Sequence, residues 1–161
     1  MFVKQAGVLL VATLSALGAG GAVLQLGAHA VARPVHQASA SPGAILKSAD
    51  GHYWATADVN GAAVRFLVDT GSSVVTLTAA DAQRLGLNMA RLRYDRPVFT
   101  AAGDQRGAAV VLDHIAVAGA RVEQVQAIVM RSGLPTSLLG MSYLGRLSRI
   151  EATPERLVLS R

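Results

Sequence analysis

The sequence predicts a small closed or sandwich-like β domain with two short helices, preceded by an apolar N-terminal segment. Three observations point there. Short runs rich in β-branched and apolar residues recur from residue 51 onward, turn dipeptides separate them, and only two brief stretches switch to a helical pattern. Strands alternating with long helices, the signature of a parallel α/β sheet, do not occur in the pattern.

The first 32 residues read as a membrane segment. After Met-Phe-Val-Lys, the stretch "AGVLLVATLSALGAGGAVLQLGA" (residues 6–28) is uncharged, with Thr13, Ser15 and Gln25 as its polar side chains. Its length matches the roughly 20 apolar residues that cross a bilayer and exceeds the about 7 to 15 of a signal-peptide core. A transmembrane anchor is the preferred reading. "AHA" (28–30) and "ASA" (38–40) resemble cleavage sites, so a cleaved signal peptide is the alternative. Either places the remainder outside the cytoplasm, held to the membrane by a single pass or released from it. Residues 33–50, "RPVHQASASPGAILKSAD", mix Pro, Ser, Ala and Gly without hydrophobic period and read as a flexible linker. The folded domain is expected over 51–161.

Within it, "HYWATADV" and "AAVRFLV" flank Asn60-Gly61, a strong hairpin signal because both residues tolerate positive φ. "SVVTL" is a further strand. Thr78 with Asp81 three residues on forms a capping pattern for a short helix, "ADAQRLGL", that Gly86 stops. "RPVFT" and "RGAAVVLDHIAVAG" flank "AAGDQ", where Gly103-Asp104 reads as a turn, and Ala118-Gly119 makes another before "ARVEQVQAIVM". These three strands should run antiparallel. "TSLLGMSYLGRL" ends a strand and starts the second helix, and "IEATPERLVLS" is a hairpin turning at Pro154-Glu155.

Composition removes several functions. The 161 residues suit one domain, and 52% hydrophobic against 16% charged is too apolar for a disordered chain. Net charge is +5, but the basic residues are scattered and aromatics make up only 4%, so nucleic acid is not an expected partner. With no Cys, disulfides, thiolate metal sites and a Cys nucleophile fall together. His29, His36, His52 and His114 have no metal-ligand spacing, and no metal or cofactor is expected. "GMSYL" around Ser142 lacks the closing Gly of a serine nucleophile elbow. The glycines at 18, 20 and 21 lie in the apolar segment, which rules out a dinucleotide fingerprint.

One acid stands apart. Asp69 follows "FLV" at a strand end, where packing can hold it, and Thr70, Gly71 and Ser72 come next. Hydroxyls can donate to a carboxylate, and a glycine lets backbone turn tightly beside one. These are the needs of an acid that is held for chemistry.

Three segments then match, in order, those of the retropepsin-like aspartic proteases, and the chain resembles a bacterial membrane-associated group of that family. "VDTGSS" is similar to the catalytic loop, "FTAAGDQ" falls where the family carries its flap, and "SLLGMSYL" resembles the hydrophobic-hydrophobic-Gly before the C-terminal helix. The likeness spans about residues 52–161 and implies a small closed β-barrel. By this resemblance Asp69 is catalytic, Thr70 braces the loop against its counterpart, Gly71 permits close approach, and Ser72 hydrogen-bonds the carboxylate. Leu138, Leu139 and Gly140 support the loop from below. Ala101, Ala102, Gly103 and Asp104 form the flap over the substrate, less Gly-rich than in retroviral relatives.

Such chemistry needs two carboxylates sharing one proton, one activating water and the other polarising the peptide carbonyl. The chain carries one Asp-Thr-Gly. The resemblance therefore implies a homodimeric endopeptidase acting on protein or peptide, each subunit giving one Asp69. "RLVLS" is the candidate interface strand. Two other readings are a non-catalytic, dimeric peptide-binding module of the same fold and a structural protein of the envelope.

Overall fold

The computed structural model describes residues 43–100 and 103–161. Ten strands and two short helices are found: β1 (Ala44–Leu46), β2 (Trp54–Val59), β3 (Ala62–Val68), β4 (Val75–Leu77), α1 (Ala79–Arg84), β5 (Arg96–Thr100), β6 (Gly103–Val117), β7 (Ala120–Met130), β8 (Ser137–Leu139), α2 (Met141–Leu144), β9 (Arg149–Ala152) and β10 (Arg156–Ser160). The larger sheet runs β2-β3-β8-β4-β7-β6-β5, and β2 also pairs with β6. That pairing closes six strands into a barrel, the all-β architecture read from the sequence. The smaller sheet has the order β1-β10-β9.

Alternation explains which residues point inward. Ala55, Ala57 and Val59 on β2 and Val64 and Phe66 on β3 are buried, and their neighbours face solvent. Leu112, Ile115, Val122, Val125 and Val129 fill the opposite wall. Each such side chain contributes roughly 2 kcal/mol on burial. Strand β4 breaks the rule, with Val75, Thr76 and Leu77 all buried, because it lies between β8 and β7 at the centre of the sheet. Tyr143 is also fully buried; its phenol donates to the Ala120 carbonyl at 2.7 Å, and burial pushes its pKa up to about 12.

The hairpin signals correspond to real turns. Asn60 and Gly61 adopt φ of 52° and 87°, and Ala118 and Gly119 adopt 50° and 88°. Thr78 caps α1, its Oγ1 accepting from the Asp81 N–H at 3.1 Å. Strands β5, β6 and β7 are antiparallel neighbours.

Three expectations change. The fold begins before residue 51: Ala44, Ile45 and Leu46 of the expected linker pair with Val158, Leu157 and Arg156, and Ile45 is buried. Three residues are too few to display a period, so only the partner strand reveals them. Gly103 and Asp104 are strand rather than turn residues, opposite Thr100 and Phe99. On an exposed two-stranded ribbon a Gly and an Asp cost little; residues 101–102 lie outside the described residues. Finally, "RLVLS" is β10, paired along both backbone edges with β1 and β9, so it has no edge free for a partner strand, and Leu157 and Leu159 face the core. The edge strands of this sheet are β1 and β9. Residues 1–42, which take in the expected membrane segment and the first part of the linker, lie outside the described residues. Among those described, no helix is long and apolar enough to cross a membrane.

The barrel seam joins β2 to β6 through only two paired positions, Asp58↔Ala116 and Val59↔Ile115. Side chains reinforce it. His114 Nε2 lies 2.7 Å from Asp58 Oδ1, and Asn60 Oδ1 accepts from the His114 N–H at 3.0 Å. The Gly61 N–H and His114 hold the Asp58 carboxyl below its ordinary value of 3.8. A depressed carboxyl stabilises the fold above its unfolded value, and that gain is lost as pH falls through the folded one. The gap in Tm between wild type and Asp58→Asn should thus be widest near neutrality and narrow progressively as pH falls below 3.8; a gap that does not change with pH contradicts this role for the seam.

Candidate active site

Asp69 leaves the barrel at the end of β3. The parallel pairing of β3 with β8 ends at Val68↔Leu139, and the Asp69 N–H then donates to the Leu139 carbonyl at 3.1 Å. There the chain turns: the Ser72 N–H donates to the Asp69 carbonyl at 3.3 Å, and the Gly71 N–H donates to Asp69 Oδ1 at 2.9 Å. The loop is tied again at its far end, where the Met141 N–H donates to the Ser72 carbonyl at 2.8 Å. Backbone from residues 139–141 therefore clasps backbone from residues 69–72 at two points.

Gly140 sits between these two bonds and makes the clasp possible. A Cβ there would lie 2.2 Å from the Val74 carbonyl oxygen and 2.7 Å from that of Ser72. Its φ of −94° is ordinary, so close approach rather than conformational freedom demands the glycine. At Gly71 an added Cβ would come within 3.2 Å of Asp69 Oδ1.

Two serines bracket this floor. Ser142 Oγ accepts from the Val75 N–H at 2.9 Å and donates to the Gln126 carbonyl at 2.7 Å, joining α2, β4 and β7. Ser137 Oγ accepts from the Thr78 N–H at 3.0 Å and donates to the buried Asp81 carboxylate. Each takes a backbone N–H at one end of β4.

Above Asp69 opens a cleft of about 480 Å³. Asp69, Gly71 and Ser72 form its floor, and Met130, Leu134 and Leu138 one wall. Val98 and Phe99 on β5 overhang it. They can do so because the pairing of β6 with β7 stops at Gly107↔Met130, whereas pairing with β5 runs on to Gly103. The β5–β6 ribbon thus projects beyond the barrel. Asp69 is half-buried, and Phe99 is 80% exposed. Among the described residues no three His, Asp or Glu side chains converge as metal ligands.

A carboxylate on the floor of an open cleft, clasped by a Gly-containing segment and overhung by a ribbon, can be compared with known proteins. The family model described as "gag-polyprotein putative aspartyl protease" matches residues 55–146. The chain belongs to the retropepsin-like aspartic proteases. A retropepsin-like aspartic protease from Rickettsia conorii superposes with a TM-score of 0.67 at 35% identity, covering 72% of this chain and 87% of that one. EIAV protease, solved with the inhibitor HBY-793, shares the fold at 19% identity and a TM-score of 0.51, covering 61% of this chain and 89% of that one. Among curated sequences, an uncharacterised protein of Rickettsia prowazekii (strain Madrid E) is 36% identical over 116 residues, 72% of this chain and 50% of that protein. Another from Sinorhizobium sp. is 38% identical over 116 residues, 71% and 50% respectively. The chain spans about half the length of these curated relatives.

In this retropepsin-like domain the residues singled out from sequence divide clearly. Asp69, Gly71 and Ser72 meet Leu138 at the cleft, with Leu139 and Gly140 directly beneath. The hydrogen bond to the Asp69 carboxylate comes from the Gly71 N–H; Ser72 contributes through its backbone. Thr70 is exposed, and its hydroxyl makes no hydrogen bond within the described residues. Gly103 and Asp104 belong to the β5–β6 ribbon, Ala101 and Ala102 lie outside the described residues, and the side chains of the ribbon that line the cleft are Val98 and Phe99. That pair was not legible in the sequence: "RPVFT" reads as a strand, and three consecutive apolar residues do not say which of them line a cleft. Sequence reading also missed the supports Ser137 and Ser142, whose only signal is a hydroxyl in an otherwise apolar run.

Gly140→Ala is expected to destabilise the domain by about 3 kcal/mol in urea unfolding, since the clash is with backbone that cannot rotate away. Retention of wild-type stability would show that the clasp can open.

Proposed function

We propose that the chain is an aspartic endopeptidase whose active unit is a homodimer, Asp69 of one subunit paired with Asp69 of the other. The observation that carries this reading is the half-buried Asp69 at the floor of an open cleft in a chain with one Asp-Thr-Gly. A lone carboxylate can activate water but leaves no acid to polarise the carbonyl; a second copy about a two-fold axis supplies it.

In that arrangement the ionised member takes a proton from water as its oxygen attacks the peptide carbonyl carbon, and the protonated member gives its proton to the carbonyl oxygen. Collapse of the tetrahedral intermediate breaks the C–N bond: the amine leaves with the proton taken from water, and the diol returns a proton to the other carboxylate as the new carboxyl group forms, which restores the pair. Close carboxylates cannot both ionise, so the apparent pKa values belong to the pair.

Two features favour pairing. Thr70, beside the catalytic position, carries an exposed hydroxyl that makes no hydrogen bond among the described residues. The edge strand β9 is exposed along its whole length, with Ile150 38% exposed between Arg149 and Glu151. Were two copies of β9 to meet antiparallel about Ile150, each Arg149 would face a Glu151. An extended peptide fits between the cleft floor and the β5–β6 ribbon as an added strand. The apolar run at 6–28 supports attachment to a bacterial inner membrane with the domain in the periplasm, which would also raise the effective concentration for pairing.

Asp69→Asn should abolish hydrolysis of a mixed peptide library while leaving urea unfolding near wild type; cleavage that survives the substitution overturns the protease reading. Mass analysis of the mature chain should find residues 1–32 retained, and a start beyond them would indicate a cleaved signal peptide.

A further inference from the structure

Asp81 is one of the few buried charged or polar residues, 5% exposed, and capping α1 does not account for it. Thr78 Oγ1 already accepts the Asp81 N–H, which is all an N-cap requires. The Asp81 carboxylate does more. It accepts from Thr78 Oγ1 at 2.9 Å, from Arg84 three residues on, and from Ser137 Oγ, 56 positions away in the sequence. Burying a carboxylate is costly unless donors surround it, and here three do.

Ser137 is the first residue after the loop 131–136. That loop supplies Gly133, Leu134 and Pro135 to the cleft, and Leu138 follows directly. Behind the loop is a hollow of about 280 Å³, between Thr78, Ala79 and Ala80 on one side and Arg131, Ser132 and Pro135 on the other. The wall is therefore not packed solidly against α1. It is held at its ends: the Arg131 guanidinium stacks 4.1 Å from the Tyr94 ring centroid, and Ser137 is anchored on Asp81 and on the Thr78 N–H. The catalytic loop depends on other contacts, those of Gly140 and Ser142.

We propose that Asp81, acting through Ser137, is a positioning residue for the substrate-binding wall and so sets substrate affinity separately from the chemical step. This rests on the protease reading above. An interaction made equally with bound substrate and transition state moves KM and leaves kcat in place.

The test uses the full-length chain and the two peptides that wild type cleaves best from a mixed-sequence library, remade as internally quenched substrates. Asp81→Asn and Ser137→Ala should each raise KM about tenfold with kcat within about twofold, whereas Ser142→Ala, on the catalytic-loop side, should lower kcat. A fall in kcat with unchanged KM, or no change in either, overturns the proposal. Hydrogen exchange supplies a readout independent of hydrolysis. In both variants the Thr78 amide and the loop 132–136 should exchange faster, with the β6–β7 amides unchanged; unaltered loop exchange also overturns it. A library left uncut by wild type counts against the protease reading alone, since exchange still decides the role of Asp81.

Discussion

The two backbone hydrogen bonds that clasp residues 69–72 to residues 139–141 are the constraint on which the site depends. Asp69 N–H to Leu139 O and Met141 N–H to Ser72 O join segments about 70 residues apart in the chain. Neither bond could form with a side chain at Gly140, because the crossing backbones occupy that space. Its neighbours serve the crossing: β3 and β8 run parallel into it, β4 is buried beside it, and Ser142 pins the start of β4 to its flank. Asp69 is placed by main chain, which has far less freedom than side-chain supports.

Local signals in the sequence were reliable. Asn60-Gly61 needs positive φ at both positions, and Thr78 caps its own helix, so both features were legible without the rest of the chain. Asp69 and the Leu138, Leu139 and Gly140 segment were legible through their order and spacing. What stayed hidden was non-local. The three residues of β1 are defined by pairing with β10, the central place of β10 depends on both its neighbours, and the seam from Asp58 and Val59 to Ala116 and Ile115 crosses over 50 residues. A serine in an apolar run does not declare which backbone groups it bridges, so Ser137 and Ser142 emerged only from geometry. The β5–β6 ribbon shows the same limit: Gly103-Asp104 has the composition of a turn, yet pairing with Phe99 and Thr100 makes it strand, and the residues that line the cleft are Val98 and Phe99.

Family membership and the clasp meet in one inference about function. The barrel presents a single carboxylate on a rigid floor beneath a projecting ribbon, and this resembles half of a site. On the proposed reading the second half is the same loop from another copy, with Thr70 facing its counterpart and the β9 edge available for pairing. The wall is governed separately, by the Asp81 and Ser137 anchor, so substrate affinity and the catalytic step are assigned to opposite ends of β4.

The shared site is tested most directly by mixing wild-type chain with the Asp69→Asn variant at constant total concentration, after exchange of subunits, and measuring peptide hydrolysis. If each active unit needs two intact Asp69 carboxylates, activity falls as the square of the wild-type fraction. A linear fall would mean that one Asp69 suffices and would contradict the account.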